Sequence, residues 1–325
     1  MDALVAALAR GERRALARLL TVVEDGRPEL LRAVVAALHP DTGTARVIGI
    51  TGSPGVGKST LTNAIAAALR AQGRSVAILA VDPSSPFSGG ALLGDRVRMQ
   101  SHHADAGVFI RSMASRGHLG GLSFATPQAI LVLDAAGFDD VIVETVGVGQ
   151  SEVQIAATAD TTVIALAPGM GDGIQAAKAG ILEVADVFAI NKADAPGAGK
   201  LDGELRGMLE LGHATEAADA VGDGWWPPIV RTVAVRDEGI ADLLEAIDEH
   251  TAAMAASGQH ANRVRDRALH TIREIALEQV RLRFARLDGD NDALLTSLAA
   301  QVATRELDPY AASDRLLAAL EGGTA

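Results

Sequence analysis

The stretch Gly52-Ser53-Pro54-Gly55-Val56-Gly57-Lys58-Ser59-Thr60 decides the fold. Before it, Arg46-Val47-Ile48-Gly49-Ile50-Thr51 reads as a buried strand of branched residues; after it, Leu61 to Leu69 reads as an Ala-rich helix. Strand, glycine-rich turn and helix start is the setting in which the spacing G-x-x-x-x-G-K-[ST] means a phosphate-binding loop. The glycines let successive N–H groups, those of Gly55, Val56 and Gly57 among them, converge on a phosphate with no Cβ in the way. The helix N-terminus adds unpaired N–H groups and partial positive charge. Lys58 would reach the β- and γ-phosphates, and the Ser59 hydroxyl would bind Mg²⁺. The bland alternative is a glycine-rich turn with a surface lysine.

Outward from this loop, strand-like and helix-like runs alternate from 45 to about 256. Strands are expected at 46–51, 75–81, 107–111, 139–144, 161–167, 186–190 and 229–233, with helices near 59–72, 91–103, 124–136, 173–182, 200–211 and 238–255. Such alternation predicts an α/β fold, a mostly parallel sheet with helices on both faces. Ligands of these sheets bind beyond the C-terminal strand ends. Residues 2–38 carry two amphipathic helical patterns split at Asp25-Gly26-Arg27-Pro28, the first holding Leu4, Leu8, Leu16, Leu19 and Leu20. From 260 onward the strand signal stops. An Arg-rich helical pattern at 262–287, with Ile272, Ile275, Ala276, Val280 and Phe284, precedes shorter helices at 294–302 and 310–320. The expected division is an N-terminal extension at 1–44, a nucleotide-binding domain at 45–258 and a helical arm at 259–325. An arm that cannot bury its apolar stripe alone must dock on the core, a partner or a second copy.

Composition narrows the function. A net charge of −12 disfavours a nucleic-acid groove or an anionic membrane surface, both of which need clustered Lys and Arg. There are no cysteines, hence no disulfide, Cys-based zinc site or iron–sulfur cluster. The N-terminus has an acid where a signal peptide needs positive charge, and no stretch approaches a membrane span. The expectation is a soluble, cytoplasmic protein.

Other strand ends supply the rest of a nucleotide site. Asn191-Lys192-Ala193-Asp194 follows a strand, and N-x-x-D geometry there reads guanine, since the Asp194 carboxylate accepts from the ring N–H and the exocyclic amine. The nucleotide is therefore read as GTP. Val81-Asp82-Pro83-Ser84-Ser85 puts an acid beside the phosphates, suited to Mg²⁺ directly or through water, or alternatively a turn cap. Val141-Ile142-Val143-Glu144-Thr145-Val146-Gly147 ends another buried strand in an acid, where metal-bound water is ordered and the Gly147 N–H senses the γ-phosphate. Asp95 and Arg98 fall on one helix face, as metal or water holder and phosphate contact, or as a solvated ion pair. Gly169 to Gly180 is a glycine-broken loop running into a helix; its Lys178 is by default a solvated lysine. His102 and His103 point to different helix faces and make a poor metal pair. Trp225-Trp226-Pro227-Pro228 reads as a loop against the sheet, and Thr232-Val233-Ala234 as backbone that touches the guanine edge.

The set Gly52–Thr60, Val81–Ser85, Gly89–Met99, Glu144-Thr145-Val146-Gly147-Val148-Gly149-Gln150-Ser151-Glu152 and Asn191–Asp194 resembles the MeaB/ArgK/MMAA family, the GTPase chaperones associated with methylmalonyl-CoA mutase. The resemblance runs over nearly the whole chain. It implies a GTPase core of the signal-recognition-particle/MinD-like class with helical extensions, and a homodimer built largely by the C-terminal helices. It implies GTP/GDP and Mg²⁺ as ligands, and slow hydrolysis stimulated by a cobalamin-dependent acyl-CoA mutase whose adenosylcobalamin loading and protection it gates. Phosphate roles carry over to Lys58, Ser59 and Thr60, metal and switch roles to Asp82, Asp95 and Glu144, and a third switch to Gln175 and Lys178. The competing readings are a P-loop kinase of the ArgK transport-system type and a metallocentre-assembly GTPase.

Overall fold

The computed structural model describes residues 1–82, 105–114, 125–145, 155–169, 184–216, 225–285 and 290–322. Runs of branched residues form seven strands: β1 (Arg46–Thr51), β2 (Val76–Asp82), β3 (Val108–Ala114), β4 (Asp140–Thr145), β5 (Thr161–Leu166), β6 (Val187–Ile190) and β7 (Ile229–Arg231). They make one sheet in the order β3-β2-β4-β1-β5-β6-β7, and every neighbouring pair is parallel. The expected α/β architecture is the observed one. The strand carrying the phosphate loop lies in the middle, between β4 and β5, where the winding of the chain reverses.

The side-chain period of two divides the sheet residues between two cores. Ile48, Ile50, Val76, Ile78, Val163 and Val187 pack with α4 (Lys58–Ala71), and a late helix running Ile240–Ala256 packs into the same layer. Val47, Ala77, Leu79, Val141 and Val143 turn the other way, toward α1 (Asp2–Ala9), α2 (Arg13–Asp25), α3 (Pro28–Leu38) and α5 (Thr126–Ala135). Farther along that second face, Ile164, Leu166, Phe188 and Ile190 meet Leu201, Leu205 and Leu209 of α6 (Ala198–Glu216). The Ile240–Ala256 helix is α7. A strand buried on both faces explains why these segments read as unbroken apolar runs.

Several expectations change: β3 runs on to Ala114 rather than 111, and α6 to Glu216 rather than 211. The first helical pattern of the N-terminus is two helices, because Gly11 takes φ +77° and breaks the chain between α1 and α2. The last strand stops at Arg231 rather than 233: the Thr232 N–H still bonds the Ile190 carbonyl, but Val233 turns away to bridge Glu238. The expected helices near 91–103 and 173–182 lie outside the described residues.

The chain forms two compact units, Met1–Arg267 and Ala268–Ala325. The first holds the sheet and its covering helices. The second holds the later part of α8 (Gln259–Ala285) with α9 (Asp290–Ala303) and α10 (Pro309–Gly322), the last two packed on each other. Ile272 and Leu277 of α8 are large apolar side chains left 64% and 63% exposed. Among the described residues, no helix is long and apolar enough to cross a membrane.

Candidate functional site

The C-terminal ends of β1, β4 and β6 are tied together by side-chain contacts with the loop that follows β1. Gly52 (φ +140°) and Gly57 (φ +95°) shape that loop. A Cβ on Gly52 would run into the Ala165 carbonyl oxygen, and one on Gly57 would sit 2.6 Å from the Asn191 amide nitrogen. Glycine is needed at both places for space as well as for backbone freedom. Helix α4 starts directly after Gly57, so its unpaired N–H groups face the loop. Lys58 is buried, and its Nζ donates to the carbonyls of Gly52 (2.7 Å) and Ser53 (3.0 Å). The ammonium is thus held over the loop that the motif assigns to phosphate.

Glu144 stands level with Ile50 of β1 and Ala80 of β2 in the sheet register, at the buried end of β4. Its Oε1 accepts a 2.5 Å hydrogen bond from the Ser59 hydroxyl. One residue on, Thr145 Oγ1 donates to Thr51 Oγ1 at 2.7 Å, tying β4 to the start of the loop. Asp82 is the last residue of β2, level with Ala114 of β3.

The base-reading segment wraps onto the phosphate loop. Asn191, buried at the end of β6, donates from Nδ2 to the Val56 carbonyl (2.9 Å). Its Oδ1 accepts from the Ala234 N–H (3.1 Å) and the Thr232 hydroxyl (3.3 Å). Lys192 takes a left-handed backbone (φ +55°) and sends Nζ to the Gly55 carbonyl at 2.7 Å. Asn191 therefore locks the phosphate loop, the N-K-x-D segment and the loop after β7 into one piece.

The expectation that Thr232-Val233-Ala234 offers its backbone to guanine meets a different arrangement. The three N–H groups donate to Ile190 O, Glu238 O and Asn191 Oδ1 within the protein. What this loop brings to the site is a side chain that the motif reading passed over. Arg236 Nη1 lies 3.1 Å from Asp194 Oδ2, while its Nε and Nη2 bond Glu238 at 2.8 and 3.3 Å. The hydrogen bond to Glu238, ahead of the charges of Glu238 and Asp194, raises Arg236 above the usual arginine pKa. A sequence signal existed in the charged run Arg236-Asp237-Glu238 directly after the loop.

Asp95, Arg98, Gly147, Gln175 and Lys178 lie outside the described residues, as do His102 and His103. Trp225 is placed as expected, a loop residue against the sheet: its Nε1 donates to the Asp186 carbonyl at 2.8 Å, and its ring meets His250 edge-on.

A family model described as methylmalonyl Co-A mutase-associated GTPase MeaB matches residues 16–287. The chain belongs to the MeaB family. A putative GTPase of Pyrococcus abyssi is 45% identical over 99% of this chain and 98% of its own. The mitochondrial methylmalonic aciduria type A homolog of Mus musculus is 36% identical over 80% of this chain and 65% of its own. Among solved structures, one described as an LAO/AO transport system kinase superposes with a TM-score of 0.66 at 29% identity, covering 98% of this chain and 97% of that one. This MeaB-family protein is a P-loop GTPase, and guanine nucleotides are its ligands.

Proposed function

We propose that this protein is a GTP-hydrolysing chaperone that gates adenosylcobalamin loading into a cobalamin-dependent acyl-CoA mutase and protects the loaded enzyme. The observation that carries the reading is membership of a family described as mutase-associated, in a chain whose N-K-x-D segment is bonded onto its phosphate loop. The reaction is GTP + water → GDP + phosphate.

Lys58 and the amides of Gly55, Val56, Gly57, Ser59 and Thr60 offset negative charge on the β- and γ-phosphate oxygens. To do so, Lys58 exchanges its bonds to Gly52 and Ser53 carbonyls for phosphate oxygens, a short movement because both lie in the same loop. Asn191 and Lys192 keep the loop seated against the base site, and Asp194 selects guanine. Mg²⁺ fits this site: Ser59 Oγ and Glu144 Oε1 are hard oxygen donors already side by side. Ser59, Glu144 and Asp82 would hold the ion, which supplies further charge neutralisation at the phosphates. Asp95, Gln175 and Lys178 keep the metal and switch roles that the family resemblance implies, and Arg98 and Gly147 the phosphate contacts read from their own motifs. Homodimerisation through the C-terminal helices is proposed on the exposed Ile272 and Leu277. A cytoplasmic location is part of the same reading.

The structural relative described as a transport system kinase favours a second reading, a kinase. Phosphate release from GTP and from ATP, measured with and without candidate acyl-CoA mutases, separates the two. Slow GTP-specific release that one mutase accelerates supports the chaperone and names its partner. Phosphate found on a protein acceptor supports the kinase. GTP turnover indifferent to every mutase removes the chaperone reading.

A further inference from the structure

Asp194, the last residue of the N-K-x-D segment, has its side chain 45% exposed, where a carboxylate is ordinarily free to rotate. Its backbone is not free. The neighbouring Ala193 N–H bonds the Thr232 carbonyl, and Lys192 is fixed in a left-handed conformation. Arg236 completes the restraint from the side-chain end. Two of its nitrogens form a fork on Glu238, which leaves Nη1 directed at Asp194 Oδ2. The turn carrying Arg236 is itself placed by Asn191, whose Oδ1 takes the Ala234 N–H. The segment that supplies the base-reading acid thus also positions the arginine that grips it.

We propose that Arg236, braced by Glu238, is a specificity-positioning residue that sets the plane of the Asp194 carboxylate for guanine. Each carboxylate oxygen has two lone-pair sites. One bond to Oδ2 occupies a single site and leaves acceptors on both oxygens for the guanine N1–H and 2-amino group. A carboxylate held in that plane takes both donors together; one that rotates takes one well and the other poorly. The inference rests on reading Asp194 as the guanine selector. The competing account is an exposed ion pair of little consequence.

The test measures Kd for GDP and for IDP, which lacks the 2-amino group, on the full chain carrying Arg236→Ala, Arg236→Lys, Glu238→Ala, Asp194→Ala, or Asp194→Ala with Arg236→Ala. Loss of the arginine is expected to lower the GDP-over-IDP preference by about tenfold, the size of one charge-assisted hydrogen bond. Glu238→Ala should move it the same way and less. Lys at 236 should restore only part, because an ammonium cannot bridge two carboxylates with a planar fork. In the Asp194→Ala background, removing Arg236 should change nothing further. An unchanged preference in Arg236→Ala, tighter GDP binding in that variant, or an equal effect in the Asp194→Ala background would each overturn the proposal. Preference that survives Asp194→Ala would instead remove the underlying reading of Asp194, so the two failures are told apart.

Discussion

At the C-terminal ends of the strands, Lys58 and Lys192 direct their ammonium groups at main-chain carbonyls of the phosphate loop. At the N-terminal ends of the same sheet, acids meet arginines. Asp140, fully buried, accepts from Arg46 Nε at 2.8 Å and from Arg74 Nε and Nη2 at 2.5 and 3.0 Å, and Arg46 also pairs with Asp248. Asp160 takes the Val47 N–H and Arg267; Asp186 takes the Thr162 N–H and Arg263, with His250 Nε2 3.1 Å away. Both rims are rich in polar contacts, and arginine–carboxylate pairs occur at both, as Arg236–Asp194 shows; it is the lysine contacts of the phosphate loop that differ in kind. A carboxylate matched by guanidinium groups and backbone donors is electrostatically complete. A carbonyl oxygen accepts from an ammonium without carrying an opposite charge, and an anionic ligand can take over such a bond. The kind of partner a charged residue has therefore says more about its role than its burial does.

The comparison breaks if a substitution on one rim produces the phenotype of the other. Asp140→Ala has the largest expected effect, since it removes from a buried site the carboxylate that Arg46 and Arg74 share: a loss of about 3–5 kcal/mol of stability. Thermal melting should show it, while GDP affinity below the transition stays close to the parent value. Normal melting with lost nucleotide binding would reverse the assignment of the two rims. Lys58→Ala should do the opposite, reducing GTP hydrolysis by about 10²–10³-fold with melting little changed. A variant that hydrolyses GTP at the parent rate would remove Lys58 from the phosphate site.

A smaller effect sharpens the picture of the structural rim. Burial alone would raise the Asp186 pKa, but the neighbouring His250 and Arg263 outweigh it and hold the group below the usual carboxylate value. An acid depressed in the folded state binds fewer protons there than when unfolded, so stability rises with pH between the two values. The Asp186 contribution is thus fully present above the unfolded pKa of about 4 and is lost as pH falls through the lower folded value. Denaturation midpoints measured from pH 7 downward should therefore fall less steeply below pH of about 4 for Asp186→Asn than for the parent. Parallel curves would mean that Asp186 titrates alike in both states.

Features carried by contiguous residues were legible in the sequence. The strand, glycine turn and helix around 46–71, the strands that carry Glu144 and lead into Asn191, and the α/β alternation each depend on short-range pattern, and the structure has strands and helix at those places. The N-terminal break at Gly11 was missed because a leucine repeat can continue in register across a single left-handed glycine. The contribution of Arg236 was missed because its partner Asp194 is 42 residues away, joined to it only through the loop after β7.

By itself, then, the chain determined that strand, glycine turn and helix would make a phosphate cradle, and that an N-K-x-D segment would close a strand. Both follow from local backbone preference and side-chain periodicity. Only the tertiary structure decided that Asn191 grips Val56, that Ser59 meets Glu144 and that Arg236 reaches Asp194. Those contacts join residues far apart in the chain, and they form only once strand order and register bring β1, β4, β6 and β7 to a common edge.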